Sequence, residues 1–277
     1  MAWTSPGPAW LFCPADRPER FSKALEIADL ALFDLEDGVA PDRREEARHH
    51  LTSLSGETRP FVVRVNPVGA TDFELDLAAV RVCGAGAVML AKCESPAQLE
   101  ALAPHDVIAL VETPAGLSHV EEIAGAGNCV AVMWGGEDLA AGLGGSASRR
   151  GDGTLSDISR YARARALLAA KVAKIAAVDT VYVDLANESG LALEASEAAQ
   201  MGFDATPCLH PRQVAVVRES YRPSERELAL ARRILEAWEG SGGVVKVDGI
   251  MVDGPIVAHA RAAVRRAALA DGETARP

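Results

Sequence analysis

A (β/α)₈ TIM barrel is the fold class this sequence predicts, and three observations carry the prediction. Eight short apolar runs rich in β-branched residues recur along the chain. Longer stretches of helical period, rich in Ala, Leu, Glu or Arg, alternate with them, which is the pattern of βα units and a parallel sheet. A chain of 277 residues is also a normal length for a single barrel of this kind.

The eight runs are Ala9 to Pro14, Leu30 to Leu35, Phe61 to Val65, Ala87 to Leu90, Val107 to Val111, Val130 to Trp134, Thr180 to Asp184 and Ala205 to Leu209. Helices are expected over Glu19 to Ala28, Arg43 to Leu54, Phe73 to Val82, Pro96 to Leu102, Leu117 to Ala124, Ser156 to Ala176 and Gly190 to Met201. Arg212 to Tyr221 and Ser224 to Glu239 supply the eighth helical layer, with Ser224 as N-cap and Glu227 completing a capping box.

The barrel is thus assigned to residues 1–240 and a C-terminal extension to residues 241–277. The extension opens with a Gly-Ser-Gly-Gly linker and continues through a hairpin-like excursion and an Asp253-Gly-Pro-Ile turn to a final helix, Val257 to Ala268. It exceeds what a barrel needs, so it is expected to cap the barrel or to reach a neighbouring subunit. A glycine-rich stretch, Gly142 to Gly153, forms a long loop after the sixth strand, at the end of the barrel where loops carry function.

Composition narrows the function classes. A net charge of −11 leaves no basic face for nucleic acid. No segment approaches the roughly 20 apolar residues of a membrane span, and Met1 to Pro8 lacks the basic start and apolar stretch of a signal peptide, so a cytosolic protein is expected. The five cysteines show no zinc spacing and read as buried thiols.

In such a barrel the chemistry sits at the C-terminal ends of the strands, and here those ends are densely charged. Strand two ends in Asp34-Leu35-Glu36-Asp37-Gly38, strand three in Arg64-Val65-Asn66, strand four at Lys92, strand five at Glu112-Thr113 and strand six at Glu137-Asp138. Glu112 and Asp138 form a plausible magnesium site, because this hard cation takes a few carboxylates and fills its octahedron with water and substrate oxygen. The bland reading makes each the cap of the helix that follows it. Asp37 and Glu36 either orient a metal-bound water or make salt bridges. Arg64 reads as the clamp for a substrate carboxylate, or as a permanent bridge to Asp37 or Glu112.

Arg17, Arg20 and Lys23 surround a helix start after strand one. They make a phosphate cradle or a charged surface turn. His210, before Pro211, is either a general base or ligand contact, or a rim histidine fixed by backbone hydrogen bonds.

With these residues in view, the chain resembles the citrate lyase β-subunit-like family of the HpcH/HpaI aldolase superfamily, which includes malyl-CoA and citramalyl-CoA lyases. The resemblance covers nearly the whole chain. It rests on Leu11 to Phe21, Asp34 to Val39, Val63 to Asn66, Leu110 to Thr113, Gly135 to Leu139, Cys208 to Pro211 and Met251 to Pro255. Two positions depart from the pattern: Ala91 stands where proline is usual, and Thr206-Pro207 where a lysine is common.

The resemblance implies magnesium on Glu112 and Asp138, Arg64 on an α-keto acid carboxylate, and coenzyme A near Phe12, Arg20, Lys23 and His210. It also implies a homotrimer in which the extension is a lid and Asp253 enters the neighbouring site as acid/base. The expected activity is reversible carbon–carbon cleavage of a 3-hydroxyacyl-CoA into acetyl-CoA and an α-keto acid. Competing readings are a thioesterase or malate synthase-type outcome of the same site, a citrate lyase β-subunit working in a complex, and a class II aldolase on free hydroxy keto acids.

Overall fold

The computed structural model describes residues 3–240 and 243–270. Ser241 and Gly242 of the expected linker, Met1 and Ala2, and residues 271–277 lie outside the described residues. The chain divides into two compact units, residues 1–217 and 218–277.

The first unit is built on eight parallel strands: β1 (Ala9–Pro14), β2 (Leu30–Asp34), β3 (Phe61–Val65), β4 (Ala87–Leu90), β5 (Val107–Val111), β6 (Cys129–Trp134), β7 (Ala176–Val178) and β8 (Thr206–Cys208). Hydrogen-bonded neighbours run β7-β6-β5-β4-β3-β2-β1-β8, all parallel. Between β7 and β8 a Val178–Ala205 bridge closes the ring, with Asp179 N–H on Ala205 O at 2.9 Å and Asp204 N–H on Ala177 O at 2.8 Å. The predicted barrel is the observed fold.

Helices α1 (Phe21–Ile27), α2 (Arg44–Leu51), α3 (Phe73–Cys83), α4 (Pro96–Glu100), α5 (Pro114–Ser118), α6 (Val120–Ala124), α7 (Gly136–Gly142), α8 (Asp157–Ala173), α9 (Glu188–Met201) and α10 (Pro211–Tyr221) alternate with the strands. The structure corrects the seventh βα unit. The strand expected over Thr180 to Asp184 lies at Ala176–Val178, because α8 stops at Ala173, where Lys174 turns left-handed (φ 60°) and ends the helix. The stretch expected as one helix from Leu117 to Ala124 is two short helices separated by His119.

Period-two alternation fixes what the strands point inward. Leu30 and Leu32 of β2, Val62 of β3, Met89 of β4, Ile108 and Leu110 of β5 and Met133 of β6 pack with Trp10 in one buried cluster. Burying these side chains is the main driving force for closing the ring, at about 1.5–3 kcal/mol each. One step of two residues further along, the same parity yields Asp34, Arg64, Glu112 and, just beyond β6, Gly135. The apolar fill therefore ends in a polar layer at the C-terminal rim.

Two buried networks hold this rim. Asn66 donates to Asp76 Oδ2 at 2.7 Å and to Leu35 O at 2.9 Å, while Arg48 binds Asp76 and Asp72, so α2 and α3 are tied to the end of β3. On the other side Asp179, 1% exposed, accepts from Trp134 Nε1 at 2.7 Å and from Arg163, which is itself 3% exposed.

The second unit contains α11 (Glu225–Glu239), a hairpin of β9 (Val245–Val247) and β10 (Ile250–Val252), and α12 (Gly254–Ala270). The capping box is present: Glu227 N–H reaches Ser224 Oγ at 3.3 Å and Ser224 N–H reaches Glu227 Oε2 at 2.8 Å. Asp248 and Gly249, with φ 49° and 84°, make the two-residue turn that such a short hairpin needs. Ala231, Ile234, Val252 and Val257 form the unit's own apolar core. Among the described residues no helix is long and apolar enough to cross a membrane.

Candidate active site

The polar layer is anchored by β2 and β3, whose register sets Asp34 opposite Arg64. Arg64 Nε donates to Asp34 Oδ1 at 2.7 Å, Nη2 to Oδ2 at 2.6 Å, and Nη1 lies 3.2 Å from Glu36 Oε2. Asp34 also accepts from the N–H groups of Glu36 at 3.0 Å and Gly38 at 2.9 Å, which folds the loop after β2 over the pair. The guanidinium stands 5.0 Å from the centre of the Phe12 ring on β1.

Glu112 directly follows β5 and is 3% exposed. Among the described residues its carboxylate accepts one hydrogen bond, from Lys92 N–H to Oε1 at 3.1 Å. A Cβ on Gly135 would lie 2.6 Å from Glu112 Oε2 and 2.7 Å from its Cβ, so this glycine opens the space the carboxylate occupies. Asp138 follows in the first turn of α7, half-exposed. The Lys92 ammonium binds Glu36, lies 3.0 Å from Asp37 Oδ2 and lies 3.5 Å from Asp138 Oδ1.

Burial raises the Glu112 pKa to about 8, and the negative charge of Asp138 pushes the same way against Arg64 and Lys92. Glu36 is also raised, burial outweighing Arg64 and Lys92. Burial would raise Asp37 too, but the hydrogen bond and charge of Lys92 prevail and lower it. For Lys92 itself, burial favours the neutral amine, and Glu36 and Asp37 more than offset that, so its pKa is raised.

A magnesium ion fits this donor set. Glu112 is a buried carboxylate with Oε2 unused, and Asp138 supplies a second oxygen donor from the adjoining strand end. Two carboxylates leave the rest of a magnesium ion's octahedron to water and substrate oxygen. Neither carboxylate is spent on capping. Thr113 caps α5, accepting from Gly116 N–H at 3.0 Å, and α7 begins without a side-chain cap.

Of the alternatives left open by the sequence, Arg64 bridges neither Asp37 nor Glu112 but Asp34 and Glu36. Asp37 joins the rim through Lys92. Arg17, Arg20 and Lys23 stand exposed around the start of α1, each 3.8–3.9 Å from an acidic neighbour in sequence. His210 is fixed at the start of α10, its Nδ1 accepting from Arg212 N–H at 3.2 Å. It follows β8, which pairs with β1, the strand that the Arg17 to Lys23 segment follows. In the second unit Asp253 begins α12, its Oδ1 accepting from Ile256 N–H at 3.3 Å.

Sequence reasoning passed over Asp34 and left Lys92 without a role. Asp34 was findable, because it shares the parity of Leu30 and Leu32. Lys92 reaches the carboxylates through a left-handed backbone (φ 50°) that no spacing announces.

A family model described as HpcH/HpaI aldolase/citrate lyase matches residues 9–211. The chain belongs to the HpcH/HpaI aldolase/citrate lyase family. One relative in this family, the citrate lyase subunit beta-like protein of Mycobacterium tuberculosis (strain H37Rv), is 49% identical over 267 residues, 96% of this chain and 98% of that protein. The mitochondrial citramalyl-CoA lyase of Homo sapiens is 31% identical over 292 residues, 92% of this chain and 84% of that protein. A solved structure of CitE from Mycobacterium tuberculosis in complex with magnesium, acetoacetate and coenzyme A superposes with a TM-score of 0.90 at 49% identity, over 95% of this chain and 98% of that one. That solved structure shares this chain's fold.

Proposed function

We propose that the protein is a magnesium-dependent carbon–carbon lyase that reversibly cleaves a 3-hydroxyacyl-CoA, such as citramalyl-CoA or malyl-CoA, into acetyl-CoA and an α-keto acid. The observation that carries this reading is the inward layer of the rim: a carboxylate-binding arginine, Arg64, on the same parity as a buried carboxylate, Glu112, with Asp138 at the next strand end. The magnesium, acetoacetate and coenzyme A held by the CitE relative are ligands of the classes this layer suits.

Glu112 and Asp138 hold the metal in this reading. Bound there, magnesium supplies Lewis-acid stabilisation of the oxyanion that develops on the keto acid side. Arg64, kept in one orientation by Asp34, receives the keto acid carboxylate. Phe12 on β1, Arg17, Arg20 and Lys23 after it, and His210 after the neighbouring strand β8 receive the coenzyme A portion. The C3 hydroxyl gives up its proton and its oxygen becomes the keto oxygen as the bond between C2 and C3 breaks, the electron pair of that bond moves to the thioester enolate, and the enolate carbon takes a proton. Asp253 of a neighbouring copy in a homotrimer is assigned that proton transfer, and Asp37 the orientation of a water at the metal.

Purified protein with magnesium is expected to turn over citramalyl-CoA or malyl-CoA to acetyl-CoA plus pyruvate or glyoxylate, with products identified by mass spectrometry. Release of free coenzyme A with the hydroxy acid intact would instead mark a thioesterase. Failure to turn over either substrate, with cleavage of a free hydroxy keto acid, would overturn the reading.

A further inference from the structure

Lys92 follows β4 and holds φ at 50°, a left-handed backbone that residues with a side chain rarely adopt. Its contacts account for the strain. The N–H binds Glu112 Oε1 at 3.1 Å, and the ammonium binds Glu36 and lies 3.0 Å from Asp37 and 3.5 Å from Asp138. One residue thus touches four carboxylates, and its charge lies within reach of an oxygen that a metal on Glu112 and Asp138 would also need. A divalent ion and an ammonium a few ångströms apart repel each other, and the rim is sheltered enough for that repulsion to be felt. The Lys92 side chain is 30% exposed and retains Glu36 and Asp37 as partners if it gives up Asp138.

We propose that Lys92 is a tethered counter-cation that neutralises the rim when no metal is bound and competes with the metal for Asp138. The inference rests on the reading of Glu112 and Asp138 as the metal pair. Lys92 then keeps the carboxylates assembled in the metal-free protein and holds magnesium affinity below what the carboxylates alone would give. A lysine that merely staples the rim would predict lost stability on its removal without any gain in affinity.

The test is calorimetric titration of magnesium chloride into the metal-free full chain, with thermal unfolding measured in parallel. Lys92→Gly removes the ammonium and suits the left-handed backbone, so Glu112 keeps its N–H donor; Lys92→Met and Lys92→Arg complete the set. We expect Lys92→Gly and Lys92→Met to bind magnesium about ten-fold more tightly at low ionic strength, an advantage that shrinks with added salt. Lys92→Arg should stay within about two-fold of the parent, since it keeps the charge. Without metal, Lys92→Gly should unfold at a lower temperature than the parent and recover more on adding magnesium. Equal or weaker magnesium binding by Lys92→Gly, with the parent binding normally, overturns the counter-cation inference alone. No magnesium binding by the parent overturns the metal reading as well.

Discussion

Arg64 and Asp34 meet as a bidentate pair across two strands in register, with both oxygens of Asp34 taken up by the guanidinium at 2.6–2.7 Å. The arginine that would hold the substrate is thereby aimed before any substrate arrives. Asp34→Asn keeps the shape and removes the charge. It is expected to cost about 3 kcal/mol of unfolding free energy by urea titration, since it leaves a buried guanidinium undercompensated. It should also raise the KM for pyruvate in the condensation direction more than it lowers kcat. An unchanged KM would show that Asp34 does not aim Arg64 for a ligand.

Gly135→Ala tests the space around Glu112. The new methyl group would press on the carboxylate at 2.6 Å. Magnesium affinity, measured by calorimetry, should fall by about ten-fold or more, equivalent to about 1.4 kcal/mol, while circular dichroism reports an intact barrel.

The raised pKa of Glu112 sets a pH dependence for the metal-free protein. Its folded value, about 8, lies above the ordinary 4.5, so the folded state binds the proton more tightly than the unfolded one. That contribution to stability is complete below about pH 4.5 and is lost as pH rises through about 8. The difference in unfolding free energy between the parent and Glu112→Gln should fall across this window, by at most about 1.4 kcal/mol per pH unit. A flat difference between pH 5 and 9 would refute the assignment.

Asp179 carries the buried network on the other side of the rim. Trp134→Phe removes one donor and should cost about 1–3 kcal/mol. Asp179→Ala leaves Arg163 buried without its main partner and should cost about 3–5 kcal/mol. Urea unfolding of both variants checks the order.

Asp253→Ala and Arg64→Ala should each lose nearly all carbon–carbon cleavage. If Asp253 serves the site of a neighbouring copy, dissociating and reassociating the two inactive variants together should restore a fraction of activity. No restoration in a confirmed mixed oligomer would confine each site to one chain.

Much of the barrel was legible because its strands are continuous apolar runs and the stretches between them are rich in helix-forming residues. The run Thr180 to Asp184 misled because it is rich in β-branched and aromatic residues, whereas Ala176–Val178 is short and follows a helix of similar composition. What marked Glu112 and Asp138 was their place at successive strand ends. The pairing of Arg64 was missed because its partner sits one strand away, 30 residues earlier, and only register brings the two together. Lys92 escaped a role because its reach depends on one backbone angle.

The alternation that fills the barrel also decides which way Glu112 faces. Deleting or inserting one residue within β5 between Ile108 and Glu112 would turn the carboxylate toward the surrounding helices and bring Thr113 or Val111, respectively, into its place. The same single-residue change in the loop over residues 142–153 shifts no strand. Tolerance to insertions and deletions, scanned along the gene, should therefore drop to nothing in β2, β3 and β5 and recover in the loops. In those strands a length change would remove fold and chemistry in one event, leaving substitution as the only gradual route by which this rim can be altered.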